Sequence, residues 1–184
     1  MAEHKLLLSD DEFRRWLDRE IRFAERFVRK EKPTSISPRL LVVGSEGEGQ
    51  PLTARFVMFA TGLDEDLKHE SFAALGAQFY TKEKFVPLAA FFSSESWISR
   101  QRVGSPQLQP SRDPARTEAV TIAARTIDGK DAMALAEIHR GQGDMIRLAK
   151  FETAFAQTKS LLLQAFFAGF LRASFLDLKG RGPL

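Results

Sequence analysis

From Pro87 to Ile98 the chain reads PLAAFFSSESWI: five consecutive apolar residues, then Ser93, Ser94, Glu95 and Ser96, and then Trp97. An apolar run of this length has no side to turn to water, so it predicts a strand covered on both faces. Any fold for this chain must therefore place one layer above that strand and another below it. The polar end of the run is expected to emerge at the rim of the sheet, with Trp97 beside it.

The flanking sequence supplies the layers. Ser9-Asp10-Asp11-Glu12 is a capping box, in which the Ser hydroxyl and the Glu carboxylate satisfy free backbone N–H groups at a helix start. Phe13, Trp16, Leu17, Ile21, Ala24, Phe27 and Val28 then recur at spacings of three and four, the apolar stripe of a helix that Pro33 ends. Its other face mixes Arg14, Arg15, Arg19, Arg22 and Arg26 with Asp18, Glu20 and Glu25. Over residues 1–32, nine Lys and Arg stand against eight Asp and Glu, so this face reads as solvated and salt-bridged rather than as a basic stripe.

Arg39–Gly44 and Thr53–Ala60 read as two strands around the turn Ser45–Pro51. The glycines of that turn match neither phosphate-cradling spacing, and Glu46 and Glu48 would repel a phosphate. A second helix is expected from Asp64 to Phe79, with Asp64, Glu65 and Asp66 set against the positive end of its dipole. Beyond the central strand, Asp128-Gly129 between the runs Thr117–Ile127 and Asp131–His139 signals a hairpin. Met145–Phe155 reads as a strand that turns helical in its later part. Lys159–Phe175 reads as a helix apolar around most of its circumference. The expected fold is α+β in the order α-β-β-α-β-β-β-β-α, a mixed, mostly antiparallel sheet with helices packed on it. One domain over residues 1–178 and a flexible tail over 179–184 complete the expectation.

Several chemistries are excluded or disfavoured. With no cysteine, the chain has no thiol nucleophile, disulfide or thiolate metal site, which fits a cytoplasmic location. Leu6–Leu8 falls short of the ~7–15 apolar residues of a secretory signal. The longest apolar stretch, 161–175, is broken by Gln164 and Arg172 and is shorter than the ~20 residues of a membrane span. There is no H-E-x-x-H, no G-x-S-x-G and no nucleotide loop, and no cofactor is expected.

Four groups of residues remain as candidates. Glu95 and Trp97 share a side of the central strand, and Arg116 and Glu118 open the next one. With Arg112 they read either as a rim where Trp stacks and Arg grips an anion, or as a junction that anchors the loop; the second is preferred. The loop Arg100–Arg116 carries Arg100, Arg102, Arg112 and Arg116 against Asp113 alone, a weaker case for nucleic acid. His69, Glu137 and His139 are the residues from which a metal site would have to come, though no metal motif is present. Ala165, Gly169 and Ala173 form a stripe of small side chains beside Phe166 and Phe170, along which another backbone can approach closely. That stripe predicts a homo-oligomer through the last helix.

Ser94-Glu95-Ser96-Trp97, the loop exit Pro110-Ser-Arg-Asp-Pro-Ala-Arg-Thr-Glu118 and the hairpin after it resemble an uncharacterised bacterial α+β family, a domain of unknown function with an S-E-A-W-like strand end. The likeness covers roughly Leu40 to Gly141, and here Ser96 replaces that Ala. It implies the order of elements and groups Glu95, Trp97, Arg116 and Glu118 in one unit, but implies no activity. The expected function is a non-enzymatic binding or self-association module. A ligand-binding protein or enzyme at the Glu95/Trp97/Arg116 rim is the alternative.

Overall fold

Helix α1 (Asp10–Glu31) starts as its sequence requires. Ser9 N–H donates to Glu12 Oε2 at 2.9 Å, and Glu12 N–H donates to Ser9 Oγ at 3.3 Å, closing the capping box. Lys32, left-handed at φ 48°, ends it just before Pro33. The computed structural model describes residues 7–47, 50–59, 67–99, 113–155 and 160–180, with side chains as far as Asp177 in the last helix.

The strands are β1 (Arg39–Ser45), β2 (Thr53–Met58), β3 (Val86–Ile98), β4 (Thr117–Thr126), β5 (Asp131–Arg140), β6 (Ile146–Leu148) and β7 (Glu152–Phe155). They form one sheet in the order β2-β1-β3-β4-β5-β6, with β7 also on β5. Each of these pairings is antiparallel, so the sheet is not mixed. The run Pro87–Ile98 lies inside β3, between β1 and β4.

Both faces of β3 are covered, as its composition demands. Leu41, Val43, Ala89, Phe91, Val120 and Ile122 pack under α1. Leu40, Val42 and Ala90 point the other way, against α2 (Lys68–Thr81) and α3 (Leu161–Gly180), through Phe72, Phe79, Phe166 and Phe170. The alternation of strand side chains thus fills two cores from one sheet. On β5 the buried residues Ala132, Ala134 and Ala136 are small, which leaves room on the α1 face.

Several expected boundaries shift, each for a local reason. The Asp128-Gly129 hairpin is present, but β4 ends at Thr126 rather than Ile127, so its loop spans Ile127–Lys130. Thr126 N–H donates to Lys130 O at 2.9 Å, and Gly129 takes φ 90°, which a side chain disfavours. The segment 145–155 does not turn helical; it stays extended and splits in two. Leu148 pairs with Ile138, whereas Glu152 pairs with Leu135, so one residue is extra between them. That bulge re-aims the side chains: Phe151 reaches the α1 core with Ile146, although the odd spacing from Ile146 would otherwise send it to the opposite face. Helix α2 begins at Lys68, with Leu67 as an N-cap that makes no side-chain bond; Asp64, Glu65 and Asp66 lie outside the described residues. Helix α3 runs to Gly180, into the segment expected as tail.

Helices α2 and α3 meet at very short range. A Cβ added to Gly169 would lie 1.9 Å from Ala73 O, and one added to Gly76 would lie 1.8 Å from Phe166 O. The small-residue stripe of α3 therefore admits a backbone, and that backbone is α2 of the same chain. Phe166 and Phe170 are buried in the same core. Tyr80 OH donates to Asp177 Oδ2 at 2.7 Å farther along the pair. Among the described residues no helix is long and apolar enough to cross a membrane.

Candidate binding site

The strand register brings most of the expected rim together. Trp97 pairs with Glu118 and Glu95 with Val120, so Glu95, Trp97 and Glu118 share the face that α1 covers elsewhere. The Arg116 guanidinium lies 4.5 Å from the Trp97 ring centroid, a cation–π contact. Arg112 lies outside the described residues, as does the nucleic-acid loop except for its last four residues.

The residue at the centre of this junction is Arg140, which was not among the sequence candidates. Two positions beyond Ile138 on β5, it points to the same face. Its Nε donates to Glu118 Oε2 at 2.7 Å, its Nη1 donates to Thr34 O at 2.8 Å, and its Nη2 lies 3.9 Å from Glu95 Oε2. Glu95 Oε1 in turn accepts from Ile36 N–H at 2.5 Å. The junction therefore anchors a loop, but the anchored loop is Thr34–Ser37, between α1 and β1. Pro33 O, which accepts from Ile146 N–H at 2.9 Å, fixes the start of that segment.

Held there, the segment becomes a wall. Ser35, Ile36 and Ser37 face Phe23, Ala24 and Phe27 of α1 across a cavity of about 150 Å³, closed by Arg39, Met58, Ser93 and Val120 of the sheet. Most of this lining is apolar. Outside it, Phe56 and Met58 on the edge strand β2 are 59% and 62% exposed beside the half-open Phe23, an apolar patch around the mouth.

Arg39 is the one charged residue among those described in that lining. Only 7% exposed, it donates through Nη2 to Glu20 and through Nε to Ser93 Oγ at 3.3 Å. Its guanidinium stacks 3.7 Å from the Phe23 ring centroid. Burial pushes the Glu20 carboxyl above its ordinary value, with Arg39 pulling the other way; burial likewise lowers Arg39, opposed by Glu20. Both directions say that lifting the pair out of water costs more than their attraction returns. Among the described residues, Nη1 of Arg39 has no hydrogen-bond partner. The one side-chain polar atom there that is both sealed and unpaired is Asp131 Oδ1, so Nη1 is reachable by solvent.

Glu20 corrects the reading of α1. Grouped by residue type with the solvated face, it is 3% exposed and in line with Leu17 and Ala24, at helical spacings of three and four. His69 sits on α2 while Glu137 and His139 sit on β5, and among the described residues no three His, Asp or Glu groups come together as a metal requires.

The chain matches no protein-family model, no curated protein and no solved structure. What the site does has to be argued from its own geometry.

The loop anchor makes a prediction. In Glu95→Ala, amide exchange at Ile36 is expected to rise at least tenfold, because its acceptor is gone, while Phe91 and Ile122 in the sheet stay protected. Hydrogen–deuterium exchange read by NMR checks this; unchanged protection at Ile36 would mean that the segment is held by other means.

Proposed function

We propose that this chain is a non-enzymatic binding module whose site is the cavity between α1 and the Thr34–Ser37 segment, with the apolar patch around its mouth. The observation that carries the reading is Arg39, a guanidinium nearly sealed from solvent with donors left over in a mostly apolar wall. Apolar concavities with a few placed polar groups are where proteins hold small ligands. The arrangement argues against a reaction at the same place. Ser93 Oγ accepts from Arg39, and among the described residues its hydroxyl donates to no base, whereas a serine nucleophile must give its proton to one. The reading also moves the ligand site away from the Glu95/Trp97/Arg116 rim, whose carboxylates are engaged in holding the cavity wall.

The test is a thermal-shift screen of small metabolites on the wild type and on Ala24→Leu, which fills the cavity from α1. A true ligand raises the unfolding temperature of the wild type and leaves that of Ala24→Leu unmoved. Hits that stabilise both proteins equally would place binding elsewhere.

Self-association is a second reading, resting on the outer side of α3, where Leu171, Phe175 and Leu176 are 39%, 62% and 62% exposed. It predicts a dimer in light scattering that Phe175→Glu converts to monomer. A concentration-independent monomer mass for the wild type would remove it.

A further inference from the structure

We infer that the ligand of this cavity is a small uncharged molecule with a compact apolar body and a carbonyl oxygen, of the class of primary amides of small ring or branched-chain acids. The inference rests on the binding reading above and adds the chemistry of the ligand.

Size sets the first limit. A cavity of about 150 Å³ takes a body of roughly benzene's size and excludes nucleotides and long acyl chains. The walls set the second: the rings of Phe23 and Phe27, the thioether of Met58 and the branched side chains of Ile36 and Val120 offer apolar contact. Phe23 and Phe27 are themselves stacked, with centroids 6.2 Å apart.

Charge sets the third limit. Arg39 Nη1 carries only donors, so the group it meets must be an acceptor. That acceptor is uncharged, because the one positive charge at the cavity is already matched by Glu20. A carboxylate ligand would leave two carboxylates on one guanidinium in a mostly apolar site, which favours a proton on one of them. A carbonyl oxygen accepts from Nη1 without adding a charge. An amide also carries N–H groups that the hydroxyls of Ser35 and Ser37, which line the cavity, can accept.

Matched pairs of probes test this on the isotope-labelled full chain by NMR: benzamide against benzoate, and isobutyramide against isobutyrate, with toluene as the apolar body alone. At least one amide is expected to shift the amides of Ile36, Ser37 and Ser93 saturably. Its acid and toluene should bind at least tenfold more weakly at pH 7. Ala24→Leu should reduce the amide's affinity at least tenfold while keeping the folded spectrum. An acid that binds as tightly as its amide overturns the inference. So does failure of both amides while a charged fragment shifts the same residues, an outcome that leaves the binding reading standing. If no fragment of any charge moves those residues, both fail.

Discussion

Arg39→Met is expected to lower the unfolding free energy by about 3–5 kcal/mol at pH 7, the usual cost of leaving one partner of a buried ion pair alone. Methionine keeps most of the volume against Phe23, so the loss is electrostatic: Glu20 stays buried without its cation. The deficit has a definite pH dependence. Glu20 already has its carboxyl raised by burial, and removing the Arg39 charge that opposes this raises it further. Between its ordinary value and that raised value the folded chain holds a proton that the unfolded chain releases. Stability then falls as pH rises through this window and recovers as pH falls below it. The variant should thus approach the wild type in acid and lie farthest from it at neutral pH. The double variant Glu20→Met with Arg39→Met removes both charges and is expected within about 1 kcal/mol of the wild type, or above it. Urea titrations of the four proteins at several pH values give the cycle. If the two substitutions prove additive at pH 7, the pair is not coupled as described.

Gly169→Ala should destabilise the protein even though alanine is the better helix former by about 1 kcal/mol. The new Cβ would lie 1.9 Å from Ala73 O, and a backbone carbonyl in a helix yields only if the whole helix moves. Separating α2 from α3 loosens the aromatic contacts that span them, Phe79 on Phe166 at 5.5 Å and Tyr80 on Phe170 at 5.8 Å. Overpacking of this kind costs about 1–3 kcal/mol or more, enough to outweigh the gain in propensity. We expect a net loss of about 2 kcal/mol, or roughly 4–8 °C in unfolding temperature for a chain of this length. Gly76→Ala, facing Phe166 O from the other helix, should behave alike. A rise in unfolding temperature for Gly169→Ala would mean that the two helices are not in contact there.

The parts of the fold legible in the sequence are those set by local chemistry. The apolar run ending in Ser94-Glu95-Ser96-Trp97 reads as a doubly covered strand, and Ser9 with Glu12 reads as a helix start; both are present as β3 and α1. The small stripe Ala165, Gly169 and Ala173 correctly announced a close backbone, but stripes do not name the partner, and α2 supplies it through Ala73 and Gly76. The bulge that turns Phe151 inward leaves no trace in a segment whose composition fits strand or helix.

The candidate site was legible in one half. Glu95, Trp97 and Glu118 were grouped correctly because strand alternation and pairing place them on one face. Arg140 was missed because it is brought in by β5 and not by sequence neighbourhood, although Ile138 two residues earlier marks its face. The cavity itself was not legible. Glu20 and Arg39 are 19 positions apart, and a buried ion pair has no period. The available signal was positional: Glu20 falls within the apolar spacing of Leu17, Ala24 and Val28, where a charge is out of place unless something answers it.

The most direct test is a crystal of the full chain soaked with a broad set of small fragments. Density for fragments is expected between Phe23, Ile36 and Met58 with a polar atom within about 3 Å of Arg39 Nη1, a hydrogen-bond distance. An empty cavity, with fragments gathered instead at Trp97 or on the Phe175 side of α3, would contradict the account.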